Sequence, residues 1–189
     1  MAAQMKFGDY ISGGLEVFKA NVVPSVVAVL CMMIPFVNFL IGINYMAAVK
    51  AAKHEGKPIQ IGDLFNFENA VDKIVGPFLV VFLMNIGSMI LFVPGLIIGG
   101  LFVFVGPILA DRPGTSFIDA MKASLHFAKG NLVPCILLSL VVGIVTFVGM
   151  MCCVGAFVTI PLGLGTAFLA YEDHKSAVQA AAAEGGVQL

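Results

Sequence analysis

The sequence FGDYISGGLEVFKANVVP, from Phe7 to Pro24, returns 110 positions later as FIDAMKASLHFAKGNLVP, from Phe117 to Pro134. The two copies align without a gap. The identical positions are Phe7, Asp9, Leu15, Lys19, Asn21, Val23 and Pro24, which match Phe117, Asp119, Leu125, Lys129, Asn131, Val133 and Pro134. In both copies apolar residues recur at helical spacing and charged residues fill the opposite face, which predicts an amphipathic helix.

A fainter third copy lies between these two, with Ile61, Asp63 and Lys73 followed by Gly76-Pro77. Each copy precedes a long uncharged run. We therefore predict an all-α integral membrane protein of three tandem repeats, each an interfacial amphipathic helix (an arm) followed by a transmembrane helical hairpin. The repeats are residues 5–55, 61–110 and 115–173, so that residues 1–173 form one membrane domain.

The composition favours the bilayer as the solvent of this chain. Of its 189 residues 60% are hydrophobic and only 11% are charged, and the mean hydropathy is +1.03. Soluble domains carry roughly 25% charged residues, so a water-exposed surface of ordinary composition is excluded. The net charge of -1 gives no basic surface for nucleic acid, and membrane lipids are the expected partners.

Three runs contain no charged residue: 22–49, 74–110 and 130–171. One helical crossing needs roughly 20 residues, so the second and third runs each accommodate two crossings. The first run is long for one crossing and short for two, and Pro35 interrupts it. Its helices either just cross or form a re-entrant hairpin that turns inside the bilayer. We expect about six membrane helices, with five as the second interpretation.

All Lys and Arg residues fall in four segments: 1–21, 50–73, 111–129 and 172–189. If every unit is a hairpin, these segments share one face of the membrane, and their basic residues mark that face as cytoplasmic. The prediction is a multi-pass protein of the cell inner (cytoplasmic) membrane with both termini in the cytoplasm. The first apolar run lacks a small-residue cleavage site and should be retained. Residues 174–189 are expected to form a flexible cytoplasmic tail.

The arms and the hairpin tips each carry a local prediction. We expect the first arm to lie in the headgroup plane, the alternative being a cytoplasmic extension of a transmembrane helix. Pro35, Pro94 and Pro161 are expected to break the hairpins into helices. The spacing Gly95-x-x-x-Gly99 permits close helix contact, either within the chain or in a homo-oligomer.

The sequence predicts no catalytic residue, no cofactor-binding residue and no metal site, and hence not an enzyme. His54, His126 and His174 stand in separate polar segments without a partner at metal-ligand spacing. A ring of three Asp residues is the alternative to helix capping, which explains the same residues more simply; they are Asp9, Asp63 and Asp119.

Sulfur-bearing residues cluster near two hairpin tips, in Cys31-Met32-Met33 and Met150-Met151-Cys152-Cys153. Such ligands could hold Cu(I), but they are also ordinary apolar filler. A disulfide from Cys31 to Cys152 or Cys153 would require an oxidising space at the tips.

Polar groups inside the uncharged runs decide between packing and transport. The membrane helices contain no ionisable residue in these runs, although carriers of ions and protons usually have one. Asn85, in the middle of a predicted helix, is the strongest candidate for lining a path for a small uncharged solute. Hydrogen bonding between helices explains the same residue.

Four motifs stand at the arms and hairpins: Ile34-Pro35-Phe36-Val37-Asn38-Phe39, Gly56-Lys57-Pro58 with Gly62-Asp63-Leu64-Phe65, Phe127-x-x-x-Asn131-x-x-Pro134, and Ala170-Tyr171-Glu172-Asp173. Together they resemble an uncharacterised bacterial polytopic membrane protein family related to the membrane-anchor domain of some glycerophosphodiester phosphodiesterases. The likeness covers residues 5–173. It implies a membrane domain without chemistry of its own, because the phosphodiesterase catalytic domain has no counterpart in this sequence.

The sequence therefore predicts a non-enzymatic role in membrane organisation, shaping or scaffolding. A passive channel or transporter for a small uncharged solute is the alternative. A homo-oligomer and an unidentified protein partner both remain open.

Overall fold

A computed structural model describes residues 4–90, 92–151, 155–187 and 189 of the chain. The described residues form helices and no strand, which confirms the all-α class. The helices are α1 (Phe7–Ala20), α2 (Val22–Met32), α3 (Val37–Glu55), a short 3-10 helix (Ile61–Phe65), α4 (Ala70–Ile90), α5 (Phe92–Leu101), α6 (Val105–Asp111), α7 (Phe117–Gly130), α8 (Leu132–Met151) and α9 (Ala156–Glu184).

The first and third arms fold alike. Helices α1 and α7 have bounds that differ by the 110-residue offset of the sequence copies. Each ends at an Asn with nearly the same backbone angles: φ -134° and ψ 43° at Asn21, φ -136° and ψ 38° at Asn131. Both Asn amides donate to the carbonyl four residues earlier. The recurring sequence thus specifies the helix and its end.

The second arm does not form an amphipathic helix, which corrects that part of the prediction. Residues 61–65 form a 3-10 helix whose first turn is closed by Asp63, which accepts from the backbone N–H of Gln60 at 3.0 Å. The chain then leaves the helical conformation, and Asn69 adopts a positive φ of 53°. Lys73 consequently lies in the first turns of α4 rather than at the end of an arm.

Helix α1 turns sharply away from α2. The two axes are bent by 99° at Asn21, so the first arm is not an extension of the following helix. The inner face of α1, with Tyr10, Gly14 and Phe18, is buried. A Cβ at Gly14 would lie 3.2 Å from the Leu162 carbonyl oxygen of α9. The arm therefore packs its inner face against α9 and exposes its outer face.

Three helical segments of the described chain are long and apolar enough to cross a membrane: Ala70–Met89, Val93–Asp111 and Leu132–Met151. The bent pair α1–α2 raises the number to four at most. The number is below the six crossings predicted from the sequence, because neither helix of the first hairpin qualifies alone and α9 is not among the three segments. Helix α2 has 11 residues, about 16 Å at 1.5 Å per residue, and the apolar part of α3 ends before Lys50, whereas the hydrocarbon core is roughly 30 Å thick.

The tip of the first hairpin contacts the middle of α4. Pro35 ends the helical stretch as predicted, and Phe36 has a positive φ of 65°. The rings of Phe36 and Phe78 lie 5.9 Å apart, centroid to centroid. Phe78 stands near the centre of the span Ala70–Met89. If α4 crosses a bilayer, the hairpin tip therefore lies near its midplane.

The other two prolines behave differently from each other. Pro94 follows the end of α4 and lies in the first turn of α5, so the predicted break in the second hairpin is present. Pro161 does not break its hairpin, because α9 continues through it. Residues 152–154, which belong to the predicted tip of the third hairpin, lie outside the described residues.

Residues 174–184 are not a flexible tail, which corrects another expectation. They continue α9 to Glu184, and the side chains of His174, Val178 and Ala182 are buried, as is Val187 beyond the helix. Alanine-rich sequence permits a helix, and the packing against α7 gives it a buried face.

The core lies between α3, α6, α7 and α9. Its largest fully buried side chains include Tyr45, Phe104, Phe168 and Tyr171. In contrast, only 22% of the span in α4 and 17% of the span in α8 are buried. These helices expose large apolar side chains, which fits contact with lipid or with a second copy.

Candidate functional site

The four charged segments of the sequence meet at one end of the helices. Asp111, the last residue of α6, is the centre of this region, and its side chain is only 2% exposed. Lys50 Nζ of α3 lies 2.7 Å from Asp111 Oδ1, and Lys175 Nζ of α9 lies 2.7 Å from Oδ2. The Tyr171 hydroxyl donates to Oδ2 at 3.1 Å. We call these four residues the Asp111 cluster.

The Asp111 cluster ties three helices together. A buried carboxylate requires charged or hydrogen-bonding partners, since an unpaired ion in the interior is strongly unfavourable. Two ammonium groups and a hydroxyl supply these partners here. The lysines are each about one third exposed, so the cluster is buried at its centre and solvated at its edge.

Neighbouring contacts bring in the remaining charged segments. The Tyr10 hydroxyl of α1 donates to Asp173 Oδ2 at 2.5 Å. His54 of α3 is hydrogen-bonded to Glu172 of α9. Near α7, the backbone N–H of Phe117 donates to the Asp72 carboxylate at 2.9 Å. Segments 1–21, 50–73, 111–129 and 172–189 are therefore linked directly by hydrogen bonds.

A cleft of about 690 Å³ opens beside the Asp111 cluster, between α3, α6, the 3-10 helix and the start of α4. We call it the Lys73 cleft. Its polar lining consists of Asn44, Glu55, Lys57, Gln60, Asp63, Asn66 and Lys73, and the rest is mainly alanine, proline and aliphatic side chains. Its volume is in the range of small-molecule sites, roughly 300–1,000 Å³.

Lys73 lies at the bottom of this cleft with 7% of its surface exposed. Its Nζ donates to Asn44 Oδ1 at 2.8 Å and to the Asn66 carbonyl oxygen at 3.4 Å. Asn44 is held in turn, because its amide donates to the carbonyl oxygens of Leu64 and Asn66, both at 2.9 Å. The two acceptors of the buried amine are thus neutral and fixed in position.

The other charged groups of the cleft stand at its exposed rim and are already engaged. Lys57 Nζ lies 2.5 Å from Glu55 Oε2. The hydrogen bond from Lys57, reinforced by its charge, lowers the pKa of Glu55, which is therefore ionised at neutral pH. Asp63 caps the 3-10 helix through the N–H of Gln60. Among the described residues no carboxylate lies within ion-pair distance of Lys73.

A second, apolar cavity of about 320 Å³ adjoins the cleft. The two share Ile43 in their linings. Helices α3, α4 and α6 line both spaces. The cleft lies nearer the charged end of these helices, and the apolar cavity lies further from it. Asn38 and Thr146 are the polar side chains of the cavity, among Met32, Phe39, Gly42, Met46, Pro77, Gly106, Ile160 and Leu164.

The histidines selected from the sequence lie in separate parts of the described chain. His54 pairs with Glu172, while His174 is buried beside the Ala170 carbonyl and the Phe127 ring. His126 is half-buried and packs against Gly185 rather than standing free in solvent. No group of three His, Cys, Asp or Glu that could hold a metal ion occurs in this part of the chain.

The Asp residues of the proposed ring serve separate helices. Asp63 closes the 3-10 helix, and Asp9 and Asp119 stand in the first turns of α1 and α7. Ser116 caps α7 by accepting from the N–H of Ile118 at 3.3 Å. Asp63 therefore has the capping role, whereas Asp9 and Asp119 stand in the first turns of their helices, where the helix dipole favours a carboxylate.

The candidates inside the membrane runs also have structural partners. Asn85 is exposed and donates to the Val81 carbonyl of its own helix at 2.8 Å, so it faces outward rather than into a path between helices. Gly95 and Gly99 lie against Ser88 and Met84 of α4, which is internal packing. Cys152 and Cys153 lie outside the described residues, so the sulfur pair with Cys31 remains a sequence hypothesis.

Sequence reasoning missed the Lys73 cleft, because Lys73 was assigned to the polar face of an arm. One signal was available. A lysine three residues after the start of α4 stands at the positive end of the helix dipole, where a cation is unfavourable. Such a position needs either solvent or a negatively charged neighbour, and Lys73 is buried.

No family model, no characterised protein and no solved structure matches the chain.

Proposed function

We propose that this chain is an integral membrane protein with a non-enzymatic role, and that it shapes or organises the membrane by widening one leaflet. The observation that carries the proposal is the contact of Phe36 with Phe78. It places the tip of the first hairpin halfway along a helix that is long enough to cross the bilayer. The hairpin of α2 and α3 is then re-entrant and occupies one leaflet.

The two arm helices, α1 and α7, are expected to lie in the same leaflet. Helices α1 and α7 stand at the charged end, and the polar contacts of Asp111, Asp173 and Asp72 join all four charged segments there. An end that holds every Lys and Arg of the chain is expected to face the cytoplasm. The cross-section of the protein would be larger in the cytoplasmic leaflet, which favours curvature of the bilayer.

The matching bounds and caps of α1 and α7 support a tandem duplication as the origin of this arrangement. The largely exposed spans of α4 and α8 provide surface for lipid and for a second copy of the chain. A homo-oligomer would multiply the effect of one wedge-shaped protomer.

Cysteine labelling tests the re-entrant hairpin. In a chain without its native cysteines, Phe36→Cys should resist membrane-impermeant reagents added to either side of sealed vesicles. Lys57→Cys, at the exposed rim of the cleft, is the positive control and should react from one side. Labelling of position 36 from the side opposite position 57 would show that the hairpin crosses, and the one-leaflet model would fail.

Vesicle shape tests the function itself. Purified protein reconstituted at increasing protein-to-lipid ratios should reduce vesicle diameter or draw tubules, as seen by electron cryomicroscopy. Gly14→Leu should weaken this effect, because a side chain there collides with Leu162 and Thr166 and displaces the arm. Gly8→Leu on the same helix is the matched control, since a Cβ there meets nothing within 4 Å. Unchanged vesicles at high loading would reject membrane shaping.

A further inference from the structure

We infer that the Lys73 cleft and the adjoining apolar cavity form one binding site for a phospholipid, with the lipid phosphate on Lys73 and an acyl chain in the cavity. This assignment identifies a ligand and a site that membrane shaping does not require. It rests on the proposed membrane insertion only for the source of the ligand.

The first step is the charge of Lys73. An ammonium group has three protons to donate, and two of them are directed to Asn44 Oδ1 and the Asn66 carbonyl. Both acceptors are uncharged. The exposed carboxylate of Glu68 attracts the Lys73 ammonium only from beyond ion-pair distance. A buried ammonium without a counter-ion is unfavourable. An anion in the cleft would supply the missing charge and accept the third proton.

The second step is the choice of phosphate. Lys73 lies in the opening turns of α4, where the helix dipole is positive and backbone N–H groups attract anions. Gln60 adds to the same lining a side-chain amide that can donate hydrogen bonds. A phosphodiester carries one negative charge and several acceptor oxygens, which matches the single ammonium of Lys73 and the amide donors near it.

The third step is the amphipathic shape of the combined site. On α4 and α6, the residues that line the polar cleft are followed, one turn deeper, by residues that line the apolar cavity, and on α3 the two linings overlap between Ile43 and Met46. Lys73 and Pro77 show this on α4, Ala110 and Gly106 on α6. Ile43 borders both spaces. A soluble anion would not occupy the apolar cavity. A phospholipid would fill both spaces, with its phosphate in the cleft and an acyl chain in the cavity.

The fourth step concerns the rim. Glu55 and Asp63 are exposed carboxylates, and Lys57 is paired with Glu55. The rim therefore offers no second free cation for a headgroup with further negative charges. The site accommodates one phosphate at depth and a neutral or positively charged headgroup at the rim.

Retention of defined lipids by the purified full-length chain tests the assignment. Three probes separate the contributions: phosphatidylglycerol has phosphate and chains, diacylglycerol has chains without phosphate, and inorganic phosphate has no chains. Native mass spectrometry after detergent exchange measures the lipids that stay bound, and calorimetry measures inorganic phosphate. We expect phosphatidylglycerol to be retained at about one per chain, with at least a tenfold preference over diacylglycerol.

Variants then locate the phosphate. Lys73→Met removes the charge at similar length and should cut phosphatidylglycerol retention at least tenfold, while Lys73→Arg should restore most of it. Lys122→Met, which removes an exposed lysine of α7, is the matched control and should retain wild-type binding. Ala47→Asp, which places a carboxylate in the cleft lining, should exclude the phosphate by repulsion without touching Lys73.

The outcomes are distinct. Equal retention by wild type, Lys73→Met and Ala47→Asp would overturn the site. Equal retention of diacylglycerol and phosphatidylglycerol would overturn phosphate recognition. Inorganic phosphate that binds as tightly as the lipid would overturn the lipid assignment. Loss of vesicle shaping in the presence of lipid retention would reject the proposed function and leave this inference standing.

Discussion

The Asp111 cluster and the Lys73 cleft are neighbours, and each contains a buried charged side chain. They differ in the partners of that charge. Asp111 is surrounded by two ammonium groups and a hydroxyl. Lys73 is buried to a similar degree but meets only an amide and a carbonyl oxygen. The comparison shows that burial of charge alone does not identify a functional site. A buried charge that the chain leaves without a counter-ion, such as Lys73, is the better candidate for a ligand contact.

The largest loss of stability is expected in the Asp111 cluster, where the buried charge is paired. Asp111→Asn removes the one charge that both Lys50 and Lys175 share. The change should lower the free energy of unfolding by about 2 to 3 kcal/mol, less than the loss of a fully buried pair because the lysines can turn towards water. Unfolding of the purified chain in mixed micelles with increasing SDS measures it.

Asp119→Asn is the control for that experiment, because Asp119 is a partly exposed carboxylate in the first turn of α7. It should change stability by less than about 0.5 kcal/mol. Equal losses from the two variants would mean that the Asp111 cluster adds no more than a surface charge does.

A smaller effect is expected on the uncompensated side. In lipid-free protein, Lys73→Met exchanges a buried charge with neutral partners for an apolar chain of similar length. The free energy of unfolding should therefore change by less than about 1 kcal/mol, in either direction. The same unfolding titration, repeated with phosphatidylglycerol, should show stabilisation of the wild type but not of the variant. A loss as large as that of Asp111→Asn in lipid-free protein would remove the contrast between the two regions.

The smallest effect is expected at Asn85, which belongs to neither region. Its amide is satisfied within α4 and its side chain is exposed, so Asn85→Leu should change stability by at most about 0.5 kcal/mol. Flux of small uncharged solutes into proteoliposomes should be the same for the variant and the wild type. A collapse of solute flux in the variant would instead support the passive channel.

The sequence was most informative where structure is local. The copies at Phe7 and Phe117 predicted two arm helices and the Asn residues at their ends, since helical periodicity and end signals act within a few turns. The same reasoning failed for the copy at Ile61, where capping by Asp63 and the positive φ of Asn69 divide the segment. It also failed for 174–184, because the contact that buries Val178 comes from distant parts of the chain.

The candidate site shows the same limit. The sequence identified four charged segments and predicted one common face, and the structure joins these segments by hydrogen bonds. It could not distinguish Lys73 from the nine other basic residues of the chain. The environment of Lys73 depends on Asn44 and Asn66 from two other elements, which approach only when α3 and α4 pack.

By itself, the sequence determined that the chain is helical, that its apolar runs are long enough for a bilayer, and that its charges gather in four segments. These are properties of the composition and of the spacing of residues along the sequence. Only the tertiary structure decided which charges are compensated, how far the first hairpin reaches beside α4, and where a polar cleft meets an apolar cavity. Those features depend on distances between helices, and packing sets these distances independently of separation in sequence.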